Sequence, residues 1–353
     1  MPPVNRKLAA VGLELAYFSG LVRLLERRAG GTGVILKFER VRPKPAGRFQ
    51  PQRAQEVTPE FLDRVIRALR RWKFDVVSMD EFCQRTREPK VHGRFAALTF
   101  DGGYRDLRTH GYPVLEKHDV PFAAYIPIAF PDGVGEAWWL ALQEVIARHD
   151  RIGLVIEGRE QHFGAADLAA KHELYDFLAN WMQTLAPAGL SAAINDLCTR
   201  YSVDLAAVSR KAFMTWENIA TLAANPRVTI GSATVNYSAL AAMPDDAARR
   251  EIEMGKRVLE AAIDREVRHF AYPFGRADSF DARHGLMAEQ AGFVSAASSI
   301  SGMIQPGGRF DLYALPRIGA NGEHSLRALR VRLSGVAMGP IAPSRQRLAS
   351  TSN

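Results

Sequence analysis

Three short segments carry the residues of this chain best suited to chemistry, and each follows an apolar run. Leu98-Thr99-Phe100 leads into Asp101-Gly102-Gly103-Tyr104, Thr229-Ile230 into Gly231-Ser232-Ala233-Thr234-Val235-Asn236-Tyr237, and His269-Phe270-Ala271 into Tyr272-Pro273-Phe274-Gly275. A carboxylate at a strand end, as Asp101 would be, serves either as a general base or as the N-cap of the following helix. The phenol of Tyr237 either hydrogen-bonds a ligand hydroxyl or fills space with its ring. Arg317, in Leu315-Pro316-Arg317-Ile318, suits a bound carboxylate or phosphate, an orienting bond to Asp101, or a structural ion pair. His110 and His118 lie two turns apart and read as surface or helix-end residues, and His269, inside an apolar run, reads as structural. Trp138 and Trp139 either stack on a ligand ring or pack their helix onto its host. Cys83 and Cys198 are the chain's two cysteines, far apart and without a CxxC, so neither a disulfide framework nor a thiolate zinc site is indicated. That usage fits a reducing, cytoplasmic setting.

The elements that must position these residues alternate. Gly33–Phe38, 75–78, 95–100, 121–126, 227–230, 268–272, 293–297 and 313–318 read as buried strands. Between them lie helical patterns: 58–72 with Thr58 as N-cap and Pro59 at the first helical position, 104–118, a helix at Thr215-Trp216-Glu217, 245–263 and 280–291. Such βα alternation predicts a parallel sheet whose strand C-termini converge on one face, where active sites form. The rhythm breaks over about 136–211, which shows helical signatures only and reads as a helical insertion. Residues 8–25 have apolar positions at spacings of three and four, interrupted by Glu14. They read as an amphipathic helix within an N-terminal segment 1–32, rather than as a signal peptide, with peripheral membrane contact as an alternative to docking on the protein's own core. The barrel is expected over 33–339 and a disordered tail over 340–353.

These motifs, in order and spacing, resemble the NodB-type polysaccharide deacetylases, carbohydrate esterase family 4. That family has T-F-D-D-G, then H-[ST]-x-x-x-H, and in one branch F-A-Y-P-Y-G; the likeness spans roughly residues 33–320. It implies a distorted (β/α)7-type barrel. It also implies that Asp101 stands at the family's general-base position and that Tyr237, Tyr272, Pro273 and Arg317 border the substrate. The family's divalent metal, such as zinc, is held by the second Asp of the first motif and the two His of the second. Those positions are Gly102, Ala233 and Tyr237 here. Where relatives commonly read Y-H-R-V on the first strand, this chain has Phe38-Glu39-Arg40-Val41.

Glycine and alanine have no donor side chain, and a phenol with a pKa of about 10 is a poor lone zinc ligand. The metal would lower the pKa of the attacking water and polarise the carbonyl, and a carboxylate alone replaces neither effect. The expectation is therefore a deacetylase-like chain without a metal cofactor, inactive or strongly impaired as an N-deacetylase, that binds an N-acetylated or acidic glycan or serves regulation. The alternatives are a hydrolase with metal-independent chemistry at Asp101, and a structural partner in a polysaccharide-biosynthesis assembly.

Composition sets the outer bounds. The 353 residues contain 46 Lys and Arg against 38 Asp and Glu, a net charge of +8, with 47% hydrophobic and 24% charged residues. This is an ordinary folded composition, which excludes collagen-like, disulfide-scaffold and wholly disordered classes. The basic residues are dispersed and no nucleic-acid motif is present, so nucleic acid is not an expected partner.

Overall fold

A computed structural model of the protein describes residues 31–88, 93–304, 310–320 and 325–334. The expected helix over 8–25 and the tail from 340 lie outside these residues. Among the described residues the strands are β1 (Gly33–Phe38), β2 (Arg40–Val41), β3 (Glu56–Val57), β4 (Phe74–Val76), β5 (Arg94–Asp101), β6 (Phe122–Ile126), β7 (Arg151–Ile156), β8 (Arg159–Gly164), β9 (Val228–Ser232), β10 (His269–Ala271), β11 (Ser295–Ala297) and β12 (Ile318–Gly319). The helices are α1 (Pro59–Arg71), α2 (Met79–Arg87), α3 (Tyr112–Lys117), α4 (Trp138–Arg148), α5 (Leu168–Thr184), α6 (Pro187–Arg200), α7 (Leu205–Ala212), α8 (Trp216–Ala223), α9 (Asp245–Ile263), α10 (Ala282–Gln290) and α11 (Leu326–Arg332).

The main sheet runs β11-β10-β9-β6-β5-β1-β12, with β4 beside the start of β5. Its strand pairs are all parallel. The 312–319 segment closes it into a barrel. Leu315 bridges Ala297 of β11, and a few residues on Ile318 pairs with Leu36 of β1. This is the expected (β/α)7-type arrangement. Its two-residue side-chain period sorts the core into two layers. Ile35, Ala97, Tyr125, Ala233, Ala271, Ala297 and Leu315 fill the barrel, whereas Leu36, Phe38, Leu98, Phe100, Phe270 and Tyr272 pack between sheet and helices. Lys37, Thr99 and Asp101 share the parity of Ile35 and Ala97. Gly231 is a packing requirement, because a Cβ there would lie 2.5 Å from the Tyr125 ring that occupies the interior.

The start of α1 follows the capping chemistry read from the sequence, and a second threonine acts in the same way. Thr58 Oγ1 accepts from the Phe61 amide at 3.2 Å, with Pro59 opening α1, and Thr215 caps α8. The expected helix over 104–118 instead begins with a π turn, Leu107–Gly111, before α3.

The segment 136–211 differs from its all-helical expectation, since β7 and β8 form an antiparallel hairpin inside it. Ile152, Leu154 and Ile156 are buried while Arg151 and Val155 are exposed, a strand period, and Glu157 and Gly158 both take positive φ, as a tight two-residue hairpin turn needs. The partner strand Arg159–Gly164 is nearly all exposed, so it shows no alternation in the sequence. The insertion is joined to the barrel by rings. Phe213 stacks on both Tyr104 (4.7 Å between centroids) and Phe130 (3.8 Å), and the Trp139 indole N–H donates to the Tyr104 hydroxyl at 2.9 Å. Truncating this seam leaves a cavity between two bodies: Phe213→Ala is expected to lower unfolding free energy by about 3–5 kcal/mol in urea denaturation.

Candidate functional site

Asp101 ends β5, inside the barrel at the strands' C-terminal mouth. It is 2% exposed and does not cap the following helix. Both of its oxygens are taken by Arg317, with Nη1 to Oδ1 and Nη2 to Oδ2 each at 2.7 Å. The guanidinium also donates from Nε to the Ser298 carbonyl (2.5 Å) and from Nη1 to Thr99 Oγ1 (3.2 Å), so it is held from two staves of the barrel, β5 and the end of β11. Burial pushes the Arg317 pKa down, but the charge and hydrogen bonds of Asp101 outweigh it and leave it above the usual arginine value.

A second cation completes the cluster. Lys37, from β1, places Nζ 2.8 Å from Glu39 Oε1, 3.0 Å from Ser299 Oγ and 3.6 Å from Asp101 Oδ2. Glu39, Lys37, Asp101 and Arg317 thus form a row of alternating charge whose formal sum is zero. One layer further out, Arg40 Nε donates to Asp106 Oδ2 at 2.8 Å while its guanidinium lies 4.8 Å from the Tyr104 ring centre.

The three family ligand positions have no metal-binding set. Gly102 takes φ +95°, a backbone conformation L side chains rarely adopt, and a Cβ there would lie 2.9 Å from the Tyr104 ring. Ala233 is fully buried. Tyr237, at φ +57°, donates its amide to Thr234 Oγ1 and sets its ring between Trp139 (5.9 Å) and Phe274 (5.4 Å). Burial first, then the negative charges of Asp101 and Glu39, push its phenol well above the ordinary value, so it is a neutral phenol and not a phenolate donor. Among the described residues no group of three or more His, Cys, Asp or Glu side chains is placed to hold a metal ion. The residues at this mouth therefore do not fit the divalent ion that the family resemblance implies.

Above the cluster lies a cavity of about 700 Å³ between the barrel and the insertion, lined by Lys37, Glu39, Tyr104, Trp139, Tyr175 and Tyr237 among others. Smaller cavities of about 310 and 260 Å³ adjoin it, and Gln183 and Phe274 border all three. Phe274 takes φ +59° in a tight turn closed by the Gly275 amide on the Pro273 carbonyl at 2.6 Å, and the Gln183 side-chain carbonyl has no hydrogen-bond partner among the described residues.

The residues named from sequence distribute unevenly. Tyr237 lines the cavity. Arg317 is 1% exposed and spent on Asp101, so it offers no face to a ligand. Tyr272 is corrected more sharply, because it packs between sheet and helices, stacked 4.0 Å from Phe280, with its hydroxyl on the Tyr313 carbonyl. Pro273 only shapes the Phe274 turn. His269 bonds Ser295 Oγ and Asp80 Oδ1, and His118 bonds Asp63, so neither belongs to the mouth. Trp139 packs the insertion and also borders the cavity. Sequence reasoning missed Lys37, whose signal was a lone charge in the apolar run Gly33–Phe38. It also missed Gln183 and Tyr175, for which helix α5 gave no chemical cue.

Removing one partner of the Arg317–Asp101 pair strands a buried charge. Arg317→Met and Asp101→Asn are each expected to cost about 3–5 kcal/mol in denaturant unfolding, and the double variant less than the two costs added.

Residues 192–296 match the polysaccharide deacetylase family model, a stretch that includes the second and third motifs but not Asp101. No curated protein sequence matches the chain. Solved structures do. The Streptococcus pyogenes deacetylase PplD, solved in complex with acetate, is 14% identical with a TM-score of 0.55, covering 85% of this chain and 97% of its own. IcaB from Ammonifex degensii is 16% identical with a TM-score of 0.53, covering 87% and 98%. A de-N-acetylase from Aggregatibacter actinomycetemcomitans is 13% identical with a TM-score of 0.54, covering 85% and 99%. The chain therefore has the NodB-type (β/α)7 fold of these deacetylases and carries the sequence signature of the polysaccharide deacetylase family over residues 192–296.

Proposed function

We propose that this protein binds an N-acetylated glycan at the barrel mouth and does not perform metal-dependent N-deacetylation. The observation that carries this reading is the combination at one mouth of a ring-walled cavity with Gly102, Ala233 and Tyr237 at the family's ligand positions. Tyr104, Trp139, Tyr175, Tyr237 and Phe274 line the cavity with the aromatic rings against which sugar rings pack. An acidic glycan is less favoured, because two of the three Lys and Arg side chains lining the cavity are paired, Lys37 with Glu39 and Arg276 with Asp278 at 3.0 Å, which leaves Arg53 alone. Asp101 is a poor base for metal-independent hydrolysis, since Arg317 engages both of its oxygens. No helix among the described residues is long and apolar enough to cross a membrane. Cys83 and Cys198 are buried free thiols, which supports a reducing, cytoplasmic setting.

Two measurements test this. Chito-oligosaccharide at about 100 times its Kd should stabilise the fold by about 2.7 kcal/mol, read as a raised Tm, with no acetate released. Uronic-acid polymers should give no shift, and Asp101→Asn should leave background acetate release unchanged; no shift with any glycan would refute the binding reading. Elemental analysis after mild dialysis should find no stoichiometric zinc, cobalt, nickel or manganese, and about one metal per chain would refute the metal-free reading.

A further inference from the structure

We propose that Lys37 is a tethered cation that takes the electrostatic place of a metal ion at this mouth, and that it excludes divalent cations from the site. Its ammonium is where three oxygens from three different staves converge: Glu39 Oε1 beyond β1, Ser299 Oγ beyond β11 and Asp101 Oδ2 at the end of β5. Carboxylate and hydroxyl oxygens gathered around one point are the surroundings that hard divalent cations take. The ammonium has three N–H donors and three oxygens near it, so the point is filled by a group carried on the chain itself.

The charge balance explains why the filling group must be cationic. With Lys37 the four-residue row is neutral, whereas without it one negative charge remains, chiefly on Glu39, because Arg317 already engages both oxygens of Asp101. Lys37 and Asp101 are 11% and 2% exposed and Glu39 is 24% exposed, so bulk counter-ions and water compensate such a charge only in part. Lys37 thus acts as a positioning residue: its ammonium bridges the two carboxylates and holds them in place, and it does so without drawing an ion from solution. The inference goes beyond glycan binding and stands whether or not the cavity takes a sugar.

The test uses the full chain and manganese(II) or zinc(II) alone as probe. Wild type should show no saturable Mn(II) binding by calorimetry or electron paramagnetic resonance. Lys37→Ala and Lys37→Gln should each gain it, with at least a tenfold rise in affinity, and Glu39→Gln placed in either background should remove it. A structural lysine would lower stability on removal but would create no ion affinity. Folded Lys37→Ala or Lys37→Gln binding Mn(II) no better than wild type would overturn the proposal. If neither variant folds, wild type decides: reductive methylation with formaldehyde and borohydride should leave Lys37 unmodified while exposed lysines react. Rapid methylation of Lys37 would overturn the proposal.

Discussion

The Arg317 guanidinium lies inside the barrel, and removing such a cation from water costs several kcal/mol that only a well-made set of partners returns. Asp101 supplies two of those partners, the Ser298 carbonyl and Thr99 the others. Because Arg317 sits on the closing segment and Asp101 on β5, with β1 between them, the pair ties together the strands at which the sheet becomes a barrel. Much else at the mouth follows from it. A carboxylate whose two oxygens already face a guanidinium has little left for a metal. The adjoining carboxylate, Glu39, then needs a cation of its own, and Lys37 provides it.

At the positions where the family resemblance would place metal ligands, the backbone as well as the side chains stands against such a set. Gly102 holds a φ that an aspartate would strain to adopt, at a cost of about 1–3 kcal/mol, and the Tyr104 ring lies where the new Cβ would go. Tyr237 sits in the left-handed region as well, with its ring packed against Trp139 and Phe274. The aromatic seam that binds the insertion to the barrel through Phe213, Tyr104 and Trp139 thus continues into the wall of the cavity. Fold stability and cavity shape share the same rings, so part of the cavity wall is built into the core.

The parts legible in the sequence were those with strong local signals. Apolar runs such as Gly33–Phe38, the Thr58-Pro59 cap and the three motif segments located the strands, the barrel and Asp101, because period, capping and strand-end chemistry are written in adjacent residues. Arg317 was legible as a partner for Asp101 among other roles, although 216 positions separate them. What escaped depended on neighbours far apart in the chain. Tyr272 sits in a motif yet faces the outer layer, as strand parity with Phe270 requires. Lys37 stands among apolar residues and acquires its meaning only beside Ser299 and Asp101. The hairpin at 151–164 was hidden because one of its strands is solvent-exposed and carries no alternation.

We infer that this deacetylase fold carries its own charge compensation, Lys37, at the mouth where the family resemblance would place a metal. Anomalous diffraction at the zinc edge, from crystals of the full chain grown with excess zinc, tests it most directly. No anomalous peak is expected at the mouth, with the Lys37 ammonium between Glu39 and Asp101 and Arg317 bidentate on Asp101. A peak at a zinc–oxygen distance of about 2.0–2.2 Å from Asp101 or Glu39, with Lys37 displaced, would contradict it.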